Sequence, residues 1–270
     1  MTYQSAATRP VFNIGRVIGR GFNILTARFW PLMGVSLVAF VANLLLSLLR
    51  LVLVRSVTGA SGAPLNIALT VLGLVLTVAQ FAFIWGAVTW AAFTQTDGRP
   101  AGFGECLSHG LKTLLPISGL FAISTIALYF LYFLLIIPGV IVSLIWAVTA
   151  QAVAVEGVGV FEAFSRSAAL TRNNRMPIFA LNLLVGVLNL VVFGVVFMIF
   201  AGIMAAVGGQ TGRGGEANMG VILTLAVVGL IAYLVGSTLV ILANACVQAS
   251  LYIELRQIKD GGSNTAEVFA

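Results

Sequence analysis

The residue types best able to do chemistry in this chain meet in one short stretch, where Glu105, Cys106 and His109 fall within five positions. Cys106 and His109 share a helix face, a spacing at which an imidazole could act as base to a thiol. His109 is the single histidine, so one chain cannot build a two-histidine metal site. Surface positions on an amphipathic helix explain the pattern better than catalysis, and we expect no enzyme activity, cofactor or metal.

Two further carboxylates close apolar runs, Glu156 and Glu254. Transporters coupled to protons or cations usually carry ionisable groups within the bundle. No apolar run of this chain has a carboxylate near its middle. We therefore interpret Glu156 as an interfacial charge that sets helix depth, in preference to a site residue.

Neutral polar side chains recur at helical spacing within the apolar runs. They favour one of two structures: a polar cavity between helices, or amides and small residues that pack the helices together through hydrogen bonds worth about 0.6 kcal/mol each. Packing is the favoured interpretation. The residues that would line a cavity are Asn43, Gln80, Asn182, Asn189, Asn244 and Gln248.

The elements that position these residues are membrane helices. The chain is 60% hydrophobic and only 8% charged, against about 25% charged residues in an average soluble domain. Runs of about 20 apolar residues cross a bilayer, and the sequence predicts an all-α polytopic membrane protein with a single domain over 1–260 and a disordered tail over 261–270. The six predicted transmembrane helices are 31–54, 66–93, 114–137, 139–155, 177–206 and 220–250.

The basic residues predict the orientation, because short cytoplasmic segments retain Lys and Arg. Of 14 basic residues, eleven flank one side of the six helices, and three flank the other, namely Arg50, Arg55 and Arg213. Both termini are therefore expected in the cytoplasm. The predominance of arginine over lysine indicates a bacterial protein, hence a multi-pass protein of the inner membrane. The net charge of +6 follows from this topology, and we expect no nucleic-acid partner.

Three predicted cytoplasmic stretches, 11–29, 103–115 and 160–175, have the pattern of amphipathic helices that precede transmembrane helices 1, 3 and 5. Each leads into a proline, which the first turn of a helix tolerates. In the third stretch, Ala163, Ser167 and Leu170 form a face of short side chains that could approach another backbone, and Glu162 is spaced to pair with Arg166.

Such helices lie in the interface and attract anionic lipid headgroups. We therefore expect membrane lipids as partners, together with a homo-oligomer or a larger membrane complex formed through small-residue faces. The predicted contacts to lipid phosphates are Arg16, Arg20, Arg166, Arg172 and Arg175.

A continuous helix from 114 to 155 would be about 63 Å long, twice a hydrocarbon core of about 30 Å. The chain must therefore reverse, and Pro138-Gly139 is the expected place.

The stretch 138–174 also carries a recurring pattern: Pro138-Gly139, an apolar span, Glu156, the run Ala163-Phe164-Ser165-Arg166-Ser167, then Leu170 and Arg172. This stretch resembles a family of bacterial six-helix membrane proteins that includes the YciC-like inner-membrane proteins and the membrane domain fused to some glycerophosphodiester phosphodiesterases. The resemblance implies a six-helix inner-membrane architecture. It transfers no catalytic residue, since the phosphodiesterase of the fused forms is a separate soluble domain. The sequence departs from the pattern at Asn174-Arg175-Met176, where an aromatic residue is expected.

These observations favour a non-enzymatic membrane protein that acts as a scaffold or accessory component and interacts with lipids. The alternative is a transporter or channel for a lipid or small amphiphile through a neutral polar cavity. A cavity lined by the six amide residues would favour transport, and packing of those amides against one another would oppose it.

Overall fold

A computed structural model describes residues 12–57, 63–99, 101–211 and 219–260. The predicted tail over 261–270 and the first residue of the stretch 11–29 lie outside these residues. Within them every regular element is an α-helix: α1 (Ile14–Ala27), α2 (Phe29–Val57), α3 (Ala63–Thr96), α4 (Phe103–Leu134), α5 (Ile136–Ile145), α6 (Thr149–Glu156), α7 (Val160–Thr171), α8 (Arg175–Thr211) and α9 (Met219–Lys259).

Among the residues that the structure describes, six helical segments are long and apolar enough to cross a membrane. In lipid there is no water to bond the backbone N–H and C=O groups, so an apolar segment pairs them within its own helix. Five lie within single helices and one combines α5 with α6. They are Phe29–Leu53, Ile67–Thr96, Phe103–Leu134, Ile136–Glu156, Arg175–Met198 and Val235–Lys259.

The core of the bundle surrounds the second half of α9. Leu242, Cys246, Tyr252 and Leu255 are all fully buried there, and α9 contacts α1, α2, α3, α6, α7 and α8. The residues buried in this half of α9 fall on several sides of the helix, as expected for an element enclosed by neighbours. The end of α9 is therefore the element around which the described helices assemble.

Helix α1 packs on α9. The Asn13 side chain caps it, accepting a hydrogen bond from the Arg16 N–H at 3.2 Å. Val17, Gly21 and Ile24 are buried, and a Cβ on Gly21 would lie 3.2 Å from Val247. The absence of a side chain at Gly21 thus allows the two helices to approach closely.

The chain reverses three residues before the expected place. Helix α4 ends at Leu134, Leu135 is extended (φ −156°, ψ 123°), and Pro138 lies in the first turn of α5, where its missing N–H costs nothing. Gly139 faces the ring of Tyr132, which a Cβ would meet at 2.5 Å. The Pro-Gly pair therefore starts a helix against α4, and the expected turn at these two residues was wrong.

The fourth membrane segment, expected as one helix over 139–155, is interrupted between α5 and α6. Polar side chains of α7 satisfy part of the interrupted backbone: the Ser167 hydroxyl donates to Ile145 O at 2.7 Å and accepts from the Val148 N–H at 3.3 Å. Unpaired backbone groups at membrane depth would be costly. Ser167 therefore holds the break in place.

The burial of α7 confirms the predicted packing face, since Ala163, Ser167 and Leu170 are all fully buried.

The expected separate surface helix over 103–115 differs from the structure. Helix α4 continues through Pro116 without a break, and the carbonyl that Pro116 leaves without its helical partner belongs to the exposed Lys112.

Helices α3 and α4 pack closely at two glycines. A Cβ on Gly86 would overlap the Thr113 hydroxyl, and one on Gly110 would lie 3.0 Å from the ring and carbonyl of Phe83. Small residues at membrane-helix interfaces allow such approach.

We predict that Gly110→Ala lowers the melting temperature of the protein in lipid nanodiscs, because overpacking costs about 1–3 kcal/mol. Gly119→Ala is the matched control, since it lies on the same helix and nothing occupies the space within 4 Å of its Cβ. Both changes carry the same gain in helix propensity, about 1 kcal/mol. Equal melting temperatures for the two variants would contradict the close α3–α4 contact.

Candidate functional site

The charged side chains of the described residues concentrate at one end of the bundle, around the ends of α6 and α9. Glu156 is the last residue of α6, which ends at Gly157 with φ +65°, a left-handed conformation that favours glycine. A carboxylate at a helix C-terminus is disfavoured by the helix dipole. Glu156 therefore requires donors from other elements.

Arg166 on α7 and Tyr252 on α9 supply these donors. The Arg166 Nε donates to Glu156 Oε2 at 2.9 Å and its Nη2 donates to Oε1 at 3.0 Å, a bidentate arrangement. The buried Tyr252 hydroxyl donates to Oε1 at 2.7 Å. These bonds connect α6, α7 and α9 through one carboxylate.

Arg166 also contacts the last described residue. Its Nη2 lies 2.7 Å from Asp260 Oδ2, and Arg256 lies 3.7 Å from the same oxygen. The hydrogen bond to Glu156 is the main cause that raises the pKa of Arg166 above its ordinary value, while burial opposes it. Because a raised pKa keeps the guanidinium protonated up to pH values above its ordinary pKa, Arg166 is cationic throughout the physiological pH range.

A second cluster, the Glu254 cluster, consists of Glu254 on α9 with Arg16 and Arg20 on α1. Glu254 is only 2% exposed. Arg16 Nη2 lies 2.8 Å from one carboxylate oxygen, and Arg20 Nη1 lies 3.6 Å from the other. Arg20 additionally donates to Gln257 Oε1 at 3.2 Å. The two arginines provide the counter-charge that a buried carboxylate requires.

Three of the five arginines expected at lipid phosphates also form ion pairs within the protein. Arg16, Arg20 and Arg166 have carboxylate partners within the protein, and Arg166 pairs with Glu156 in place of the expected Glu162. Arg172 and Arg175 are exposed between α7 and α8, and the lipid-phosphate contacts of all five arginines stay a prediction.

Cys106 and His109 have different surroundings in the structure. The expected surface position of Cys106 was wrong, since this residue is fully buried with a free thiol. The His109 Nε2 lies 2.8 Å from the Ala154 carbonyl oxygen, which can only accept, so this nitrogen carries a proton, and in the neutral ring Nδ1 is then an acceptor. His109 thus connects α4 to α6.

His109 also lies beside a cavity of about 630 Å³ between the end of α3 and the start of α4. Its ring stacks on Trp90, with centroids 4.2 Å apart and planes inclined by 12°. Four charged side chains line the cavity, namely Asp97, Arg99, Glu105 and Lys112.

Four of the six predicted cavity residues hydrogen-bond to one another between α8 and α9. Asn189 and Asn244 exchange two amide bonds of 3.0 and 3.2 Å. Gln248 Nε2 donates to Asn182 Oδ1 at 3.2 Å. The amides therefore contribute contacts between these two helices.

The other two predicted cavity residues, Asn43 and Gln80, lie on α2 and α3. Asn43 lines a groove of about 350 Å³ between α2 and α3 with Ser47, Gly73 and Thr77. Gln80 is half-buried on α3 and is not among the residues lining that groove. Whether the six residues share one cavity stays a prediction.

Sequence reasoning missed the partners of these charges. Glu254 was recognised only as a charge at the end of the last span, and Tyr252 and Asp260 were not selected. A usable signal existed, because Tyr252 and Glu254 follow the apolar run of α9 and polar side chains there require partners. The partner itself could not be read from spacing, since Arg16 and Glu254 lie near opposite ends of the chain.

A family model described as a domain of unknown function, DUF7847, matches residues 101–255, more than half of the 270-residue chain. The matched segment includes α4 to α8 and most of α9, and with them Glu156, Arg166 and Glu254. No curated protein and no solved structure matches the chain significantly.

We predict that Arg16→Gln/Arg20→Gln lowers the melting temperature, because it leaves the buried Glu254 without a counter-charge, a loss of about 3 kcal/mol. Adding Glu254→Gln to that variant should restore most of the lost stability, since no charge then remains buried. Arg172→Gln/Arg175→Gln is the matched control with the same change in net charge, and it should melt like the wild type. A triple variant no more stable than the double variant would refute the pairing.

Proposed function

The chain belongs to the DUF7847 family, whose function is unknown, and we propose that it is a non-enzymatic scaffold or accessory component of a membrane process that interacts with lipids. Its location under this proposal is the bacterial inner membrane, with both termini in the cytoplasm. The fold supports an integral membrane protein through its six long apolar helices. The excess of basic residues on one side of these helices supports the orientation.

The observation that carries the scaffold proposal is the pairing of polar groups with each other. Glu156 binds Arg166 and Tyr252, and Glu254 lies against arginines of α1. Transport sites and active sites instead present polar groups to a ligand. Groups that are paired within the protein favour a rigid framework over a path.

The lipid interaction is supported by exposed groups at the same end of the bundle. On α1 and at the start of α2, Phe22 and Trp30 are 64% and 80% exposed, and Trp is enriched at membrane interfaces. Arg172 and Arg175 add exposed cations. Together these residues support an amphipathic α1 seated at the cytoplasmic interface, with lipid phosphates near the start of α8.

The proposed self-association or larger complex rests on α8. This helix presents exposed large apolar side chains over several turns, among them Leu188, Leu190 and Phe197. It contacts only α9 and α5 among the described elements that make more than isolated contacts. A face of this kind serves either lipid or a second membrane protein.

We further propose kinship with the YciC-like six-helix proteins, on the residue pattern that the segment 138–174 carries.

A transporter or channel for a lipid or small amphiphile is the second candidate. The groove between α2 and α3 supports it, since polar Asn43, Ser47 and Thr77 line it with leucines over about 350 Å³. A groove with an apolar wall and few polar groups suits an amphiphile.

A lipid-translocation assay discriminates the two candidates. The protein is reconstituted into vesicles containing a fluorescent phospholipid, and dithionite quenches the outer leaflet only. The scaffold proposal predicts the same slow lipid translocation as in protein-free vesicles. It also predicts that the protein keeps one partner or one oligomeric state when it is extracted with a mild detergent.

Fast translocation that Asn43→Leu abolishes would overturn the scaffold proposal in favour of transport. Asn189→Leu/Asn244→Leu is the comparison variant, because it replaces both members of an amide pair, which costs little when no polar partner remains. A strictly monomeric protein without partners in mild detergent would also contradict the scaffold role.

A further inference from the structure

The cavity of about 630 Å³ beside His109 is not explained by the scaffold role. Its size falls within the range of small-molecule sites, about 300–1,000 Å³. It lies where α3 ends at Thr96 and α4 begins at Phe103, which are also the limits of two membrane-spanning segments. The ends of apolar segments lie near lipid headgroups, so a headgroup is a candidate occupant of the cavity.

The lining combines both signs of charge. Arg99 and Lys112 provide cations, and Asp97 and Glu105 provide carboxylates. Glu105 Oε2 accepts the Gly102 N–H at 3.3 Å, which leaves its second oxygen for another donor. The His109 Nε2 is held by the Ala154 carbonyl, so its Nδ1 is an additional acceptor.

A ligand that satisfies this lining carries an anionic group and an N–H-bearing cation a short distance apart. A phosphate binds arginine and lysine, and a primary ammonium donates to carboxylates and to an imidazole nitrogen. A quaternary ammonium has no N–H to donate. A purely anionic headgroup would bring its charge close to two carboxylates.

Apolar side chains continue from the cavity toward the membrane. Leu115 lies one turn beyond Lys112 on α4 and is 79% exposed, and the neighbouring Leu111 is 60% exposed. An acyl chain attached to a headgroup in the cavity could lie along these residues. The stacked Trp90 and His109 rings form a flat, rigid part of the cavity wall.

We propose that this cavity binds a phosphoethanolamine group, with the phosphate at Arg99 and Lys112 and the ammonium at Asp97 and Glu105. The bound molecule is phosphatidylethanolamine. This proposal rests on the proposed lipid interaction and specifies its site and headgroup.

Native mass spectrometry of the full chain in detergent tests it by titrating phosphatidylethanolamine, phosphatidylcholine and phosphatidylglycerol. The wild type should bind phosphatidylethanolamine at least fivefold more tightly than the other two. Asp97→Asn/Glu105→Gln should reduce this ratio to about one, and Gln at position 105 retains the helix cap. Glu162→Gln removes an exposed carboxylate of α7 and should leave the ratio unchanged.

Arg99→Gln/Lys112→Gln should weaken binding of all three phospholipids at this site, which provides a second readout. Melting temperatures equal to that of the wild type establish that the variants are folded. Soluble phosphoethanolamine tests whether the bound group belongs to a lipid. If it does not displace the lipid, the site binds phosphatidylethanolamine. If it displaces the lipid at comparable concentration, the site binds the free compound and the lipid assignment is overturned.

Equal binding of the three phospholipids by the wild type would overturn the proposal, as would a preference that survives Asp97→Asn/Glu105→Gln. Either result leaves the scaffold role standing, because that role is tested by translocation and by partner retention.

Discussion

A carboxylate removed from water at the end of an apolar helix must have a counter-charge, and the described helices are arranged around two of them, the buried Glu254 and the half-buried Glu156. Glu254 is 2% exposed and lies in Val235–Lys259, the most buried of the six apolar segments. Leaving it unpaired would cost several kcal/mol. The need for Arg16 and Arg20 beside it fixes where α1 lies, although α1 is separated from α9 by almost the whole chain.

Glu156 imposes the same requirement on α6 and α7. Its bonds to Arg166 and Tyr252 orient α7, and α7 in turn places Ser167 at the break between α5 and α6. Burying ion pairs is not in itself strongly stabilising, because desolvation offsets much of the attraction. The pairs instead specify one arrangement, since each helix that moves leaves a charge or a backbone group without a partner.

Local pattern could predict much of this fold. Apolar run length predicted six membrane segments, and the spacing of short side chains predicted the buried face of α7. The turn at Leu135 was missed because the close contact of Gly139 with Tyr132 is a tertiary property. The partners of Arg16 and Arg166 were missed for the same reason: spacing ranks neighbours on one helix, such as Glu162, whereas the actual partners come from other helices.

The central claim is that the ion pairs with Glu254 hold α1 against α9 whether or not anionic lipid is present. Hydrogen exchange of the α1 amides, compared between nanodiscs with and without anionic lipid, tests it most directly. If the internal ion pairs hold α1, its amides should be equally protected from exchange in both kinds of nanodisc. Protection of α1 that is lost without anionic lipid, while α9 stays protected, would contradict the claim.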